Sequence, residues 1–155
     1  MSDKLDVVGI GNAMVDAIIP SNQSEIEKHE INRDSMNLID ENLKNNLHES
    51  YSIREMAGGG SLGNSMFGIT SFGGNGSFIG KIKNDEIGVY LQKDMIREGL
   101  KFPLGFTSPD ISTGCCTIFV EEDGTRTMCT FLGAGTLIGP EAVSYTHLTL
   151  PTKEE

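Results

Sequence analysis

A chain of 155 residues, 37% hydrophobic and 22% charged, has room for one globular domain, and its 19 glycines exceed the usual share of about 7%. That mixture excludes collagen, a coiled coil or a disordered chain, and no run approaches the ~20 apolar residues of a membrane span. With 22 acidic against 12 basic residues the formal charge is −10, which repels phosphate backbones and argues against a nucleic-acid partner.

In chain order, Met1–Asp6 lacks a basic stretch followed by an apolar one, so no secretory leader is expected. Leu5–Ile10 is short, apolar and β-branched, and predicts a buried strand of a parallel sheet. Val15–Ile19 continues in apolar fashion to Pro20. Between 21 and 50 the sequence is polar, with short helical turns expected at Ser24–Glu27 and Asp40–Leu47 and a strand at Ser35–Leu38. Gly58–Gly60 is expected to break any regular element. Ser61 then caps a helix from about Leu62 to Phe72, which Gly73-Gly74 ends. Gly76–Ile82 predicts another strand. A clearer helix spans about Asp85–Glu98, with Ile87, Tyr90, Leu91 and Met95 on one face and Gly99 at its end. Thr113–Glu121 and Thr125–Leu132 are β-rich runs around Asp123-Gly124, a hairpin turn. The series reads as an α/β fold with some antiparallel sheet. Cys115, Cys116 and Cys129 lack metal-ligand spacing, and their odd number fits reduced thiols in a cytoplasmic protein.

The end of the chain reads differently. Val143-Ser-Tyr-Thr-His-Leu-Thr-Leu-Pro-Thr152 is what GTC TCT TAT ACA CAT CTG ACG CTG CCG ACG encodes, a string resembling the adapter of transposase-based sequencing libraries. The frame is consistent at both edges: Ala142 can be GCT, and a Lys153 codon begins with A. Residues 143–155 are therefore expected to be non-native, and His147, Tyr145 and Pro151 are set aside. Residues 1–142 remain.

Two clusters carry candidate chemistry. Gly9-Ile10-Gly11-Asn12-Ala13-Met14-Val15-Asp16 places two glycines after a strand, but Met14 stands where a dinucleotide fingerprint needs its third glycine. Asp16 lies in an apolar run, where a carboxylate is costly without partners. It reads either as a structural Asp bonded to backbone amides or as an acceptor of hydrogen bonds from two vicinal hydroxyls, with Asn12 assisting. In Ala57-Gly58-Gly59-Gly60-Ser61-Leu62-Gly63-Asn64 the triple glycine lets the backbone approach a ligand closely, or serves as a plain linker. The absence of a Lys after Gly63 excludes a Walker A loop. Farther on, Asn84-Asp85 is expected to cap the next helix, with Lys81 and Lys83 solvated.

Taken together, G-I-G-N-A-M-V-D, G-G-G-S-L-G-N-S, S-F-G-G-N-G-S-F-I-G-K-I-K-N-D-E-I-G and E-E-D-G-T-R-T-M-C-T-F-L-G-A-G resemble the ribokinase-like (PfkB) carbohydrate kinases over residues 5–139. The resemblance implies the N-terminal part of a doubly wound, Rossmann-like α/β core with a small β-sheet lid. It implies transfer of the γ-phosphoryl group of MgATP to a hydroxymethyl oxygen of a sugar or nucleoside. Carried over by motif, Asp16 and Asn12 bind the acceptor's hydroxyls, Gly59 and Gly60 form the lid hinge, and Asn64 binds the acceptor. Ser61 lines the pocket, and Arg126 of the lid hairpin reaches toward the acceptor. Lid closure excludes water from the reaction. G-N-A-M-V-D and T-R-T-M lean toward the adenosine-kinase-like members, with Met36, Leu38 and Phe131 able to stack on a base or to serve as core. The family's second signature, a G-A-G-D-type motif bearing the catalytic Asp, is not matched in residues 1–142, and Gly133-Ala134-Gly135-Thr136 has Thr in its place. No catalytic residue is therefore assigned. The chain is expected to be an inactive fragment holding much of an acceptor pocket, with the site for ATP and Mg2+ mostly elsewhere. Alternatives are a short non-catalytic sugar- or nucleoside-binding protein, and a ribokinase or fructokinase.

Overall fold

The computed structural model describes residues 4–103, 106–108 and 110–142; the segment from Val143 on lies outside the described residues. The two apolar N-terminal runs form β1 (Val7–Ile10) and β2 (Met14–Pro20). The polar stretch then gives α1 (Gln23–Glu27), β3 (Met36–Leu38) and α2 (Glu41–Ser50). Capping explains why helices begin in so polar a stretch. The Asn22 side chain accepts the Glu25 amide while the Glu25 carboxylate accepts the Asn22 amide, and Asp40 accepts the Leu43 amide. Then follow β4 (Glu55–Gly59), α3 (Ser61–Ser71), β5 (Gly76–Ile79), β6 (Ile82–Lys83) and α4 (Glu86–Arg97). Strand β7 (Phe106–Ser108), β8 (Gly114–Val120) and β9 (Arg126–Phe131) precede two 3-10 turns, Gly133–Leu137 and Pro140–Ala142.

The main sheet has the order β3-β9-β8-β2-β4. Its centre pairs β2 with β8 in parallel, and β4 and β9 flank them antiparallel. Strands β1 and β5 form a separate parallel pair, as do β6 and β7. Alternation along the strands gives the main sheet two unlike faces. Val15 of β2, with Met66, Phe78, Leu91 and Met95, builds one core against α3 and α4. Ile19, Phe119 and Cys129 build a second core with Ile26 of α1 and Leu47 of α2. The opposite face carries Met14, which is buried, and Asp16 and Ile18, which are half-buried; none of the three belongs to either core. Among the described residues no helix is long and apolar enough to cross a membrane.

Several expectations are corrected. Strand β1 is not buried: Val7 and Ile10 stand 38% and 43% exposed, because its sheet has one partner strand and one covered face. The glycines at 58 and 59 do not break the chain but pair with Val15 and Met14, and the break comes at Gly60. Ser61 does not cap α3, since Gly60 occupies the N-cap and no side chain bonds there. The strand expected over Gly76–Ile82 is split at Gly80-Lys81 into β5 and β6. Lys81 and Lys83 are not simply solvated; their ammonium groups donate to the carbonyls of Leu137 (2.7 Å) and Asp110 (3.0 Å). Of Met36, Leu38 and Phe131, read as stacking on a base or as core, Phe131 faces away from the other two, toward α2, with the Lys44 ammonium 5.4 Å from its ring centre.

Candidate binding site on the open sheet face

The register across the sheet sets the site. Asp16 pairs with Ala57 of β4 on one side and Cys116 of β8 on the other, Cys116 pairs with Thr130 of β9, and Thr130 with Leu38 of β3. Paired residues share a face, so Asp16, Cys116, Thr130 and Leu38 form one row across four strands. The row grades from a carboxylate to an apolar side chain. Cys116 and Thr130 are buried, with the Thr130 hydroxyl 3.3 Å from the Cys116 sulfur, while Leu38 and the neighbouring Met36 are 66% and 55% exposed.

The glycine turn is built against the carboxylate. A Cβ on Gly59 would lie 2.2–2.3 Å from the Asp16 carboxyl atoms, so only glycine lets β4 pass this close. At Gly60 φ is 76°, a conformation that disfavours side chains, and the chain turns there into α3. The Gly60 amide follows directly on Gly59 at this turn. Burial pushes the Asp16 carboxyl up from its ordinary value, and this amide draws it down. Asp16 is thus half-buried and lies against the glycine turn.

Of the other expected residues, Ser61 and Asn64 are exposed on the first turn of α3, directly after Gly60. Asn12 is half-buried in the β1–β2 connection, its carbonyl 3.9 Å from where a Gly60 Cβ would be. Arg126 is not brought to this cluster. It pairs with Val120, four residues along β8 from Cys116, about 13 Å from the Asp16 row at ~3.3 Å per residue. Cys116 and Thr130, neither of which the sequence singled out as a site residue, are brought in by strand pairing. Burial pushes the Cys116 thiol up, and it pushes those of Cys115 and Cys129 up to about 12 and about 11; all three stay protonated near neutral pH.

No group of three His, Cys, Asp or Glu side chains stands together among the described residues. The glycines of Gly133–Leu137 are taken up by packing: a Cβ at Gly133 would meet the Ser112 carbonyl at 2.4 Å, and one at Gly135 would meet Asn12 at 3.0 Å.

The sequence profile described as "pfkB family carbohydrate kinase" matches residues 5–148, ending inside the segment read as adapter-encoded. No curated protein sequence matches the chain. Among solved structures, the adenosine kinase from Sinorhizobium meliloti is 36% identical with a TM-score of 0.83, over 92% of this chain and 44% of that one. The probable sugar kinase protein from Rhizobium etli CFN 42 is 32% identical with a TM-score of 0.82, over 93% and 44%. The Anopheles gambiae adenosine kinase, 23% identical with a TM-score of 0.79 over 91% and 43%, shares the fold. The chain therefore spans less than half the length of these structures.

Proposed function

Since the chain belongs to the pfkB family of carbohydrate kinases, we propose that it forms the acceptor-binding part of an ATP-dependent kinase that phosphorylates a hydroxymethyl group of a nucleoside. The observation that carries this reading is the graded row on the open face, with Asp16 at one end and Leu38 at the other. Three strand spacings of ~4.8 Å make it about 14 Å long. A nucleoside has matching ends: a ribose whose vicinal hydroxyls donate to Asp16, and a flat base that lies along Cys116, Thr130 and Leu38. A simple sugar would fill the Asp16 end and leave the apolar end uncovered. Asn64 and Ser61 at the start of α3, and Asn12 beside the turn, supply further polar contacts to the ribose. Gly59 and Gly60 act as the hinge on which the sheet closes over the acceptor, excluding water. ATP and Mg2+ belong to the remainder of the enzyme, as does the catalytic base. Residues 143–155 are read as adapter-encoded.

One experiment tests the whole reading. A long read of the source locus across codon 142 is expected to continue in frame to a Gly-x-Gly-Asp stretch. The product of that frame should phosphorylate adenosine in preference to ribose or fructose. A stop directly after codon 142, or a full product that prefers ribose or fructose, overturns it.

A further inference from the structure

Behind the main sheet, a cavity of about 460 Å³ opens between α2 and the start of α4, a size that holds a small molecule. Strand register places it on the face opposite Asp16. Met56, which lines it, shares a row with Ala17 and Thr117, one residue along from the Asp16 row. Helix α2 packs into one core and α4 into the other, so the cavity lies between the two.

Its buried polar groups are Lys44 and Ser112, 5% and 8% exposed. The Lys44 ammonium donates to the Ser112 hydroxyl at 3.3 Å and lies 5.4 Å from the centre of the Phe131 ring. Among the described residues it forms no ion pair. An ammonium carries three donors, and one that is buried without a counter-charge is costly. The other charged and titratable groups facing the cavity do not supply that charge. Asp85 spends both oxygens on the Gly88 amide and on the amide and hydroxyl of Thr113. The His48 ring is 2.9 Å from the Thr117 hydroxyl, while Glu41 is half-buried and Glu86 exposed.

We propose that this cavity binds a small organic acid with one carboxylate and an apolar body. The carboxylate takes the free donors of Lys44 and the proton of Ser112, whose oxygen already accepts from Lys44. The body lies against Ile53, Met56 and Ile87. Glu41 and Glu86 repel a second negative charge, which selects a carboxylate over a phosphate dianion. The cavity shares no residue with the Asp16 row, so this inference stands apart from the function proposed above.

The test titrates the full chain with sodium hexanoate, against sodium chloride, hexan-1-ol and sodium phosphate, and follows backbone amides by NMR and the melting temperature. Hexanoate is expected to give saturable shifts at Lys44, Ile87 and Ser112 and to raise the melting temperature. Hexan-1-ol and phosphate should bind about tenfold more weakly or not at all. Lys44→Met keeps the length of the side chain without its charge. It should melt at the same temperature or higher and bind hexanoate about tenfold more weakly or worse. Ser112→Ala should weaken hexanoate about fivefold, and it carries the test if Lys44→Met does not fold. The inference is overturned if hexanoate gives no saturable shifts at these residues, if hexan-1-ol or phosphate binds as tightly, or if the folded variants bind hexanoate like the parent.

Discussion

Burial pushes the Asp16 carboxyl up, so its pKa in the fold lies above its unfolded value. The sign follows: the unfolded chain releases this proton first, and the fold loses stability as pH rises through that range. At neutral pH the ionised group is therefore a stability cost that a ligand donating two hydroxyls can offset. Asp16→Asn separates the two effects. It is expected to raise the melting temperature at pH 7 while weakening adenosine by about 10- to 100-fold, from the ~1.5–3 kcal/mol of hydrogen bonds to a charged acceptor. Melting curves and titration calorimetry on the same samples check both. A variant that binds adenosine as well as the parent would leave Asp16 a structural residue.

At the scale of elements, α2 shows how a polar helix is fitted beneath a sheet. Lys44 is 5% exposed, with its ammonium 3.3 Å from the Ser112 hydroxyl and against the Phe131 ring. One turn on, His48 lies 2.9 Å from the Thr117 hydroxyl and 3.9 Å from the Cys115 sulfur. Burial, and then the Lys44 charge, hold the His48 imidazole below its ordinary value of 6.5. Below about pH 6.5 the unfolded chain takes up a proton that the folded chain refuses, so stability falls as the pH drops through the folded pKa. His48→Gln should flatten this acid limb of the melting temperature against pH while leaving the neutral plateau within a few degrees. An unchanged limb would assign the effect to other groups. Helix α4 is also tied at its start. Asp85 accepts the Gly88 amide at 2.8 Å and also the amide and hydroxyl of Thr113, joining the helix to the beginning of β8.

The whole molecule is uneven in how its sheets are supported. The main sheet has five strands and two cores beneath it, whereas β1 and β5 form a two-stranded parallel pair. Parallel sheets are ordinarily covered on both faces and need more strands than two to stand alone. Val7 and Ile10 are exposed here, and Phe72 at the end of α3 is 93% exposed. Amide exchange is expected to run at least tenfold faster in β1 than in β2 and β8, reporting local opening at this edge. Equal protection in the three strands would contradict the uneven support. The same exposed apolar groups predict self-association at high concentration, which sedimentation of the chain would register.

Much of the fold was legible in the sequence because its signals are local. The helical turn starting at Asp40, the cap at Asp85, the apolar stripe of α4 and the Asp123-Gly124 hairpin need no distant partner to be read. The glycine cluster and the misplaced acid at position 16 likewise marked two halves of the candidate site, and the family followed from motifs in order along the chain. Pairing was not legible. Which strands lie beside β2 decides that Gly58 and Gly59 extend a strand, that Cys116 and Thr130 share a face with Asp16, and that Arg126 stands far along it. The side of the sheet that each lid residue faces depends on register, and a slip of one residue would exchange Phe131 for Thr130. Sequence alone determined the elements and the residue types at the site. The tertiary structure alone decided their neighbours, because contacts between residues far apart along the chain are set by burial and strand register, neither of which a local pattern contains.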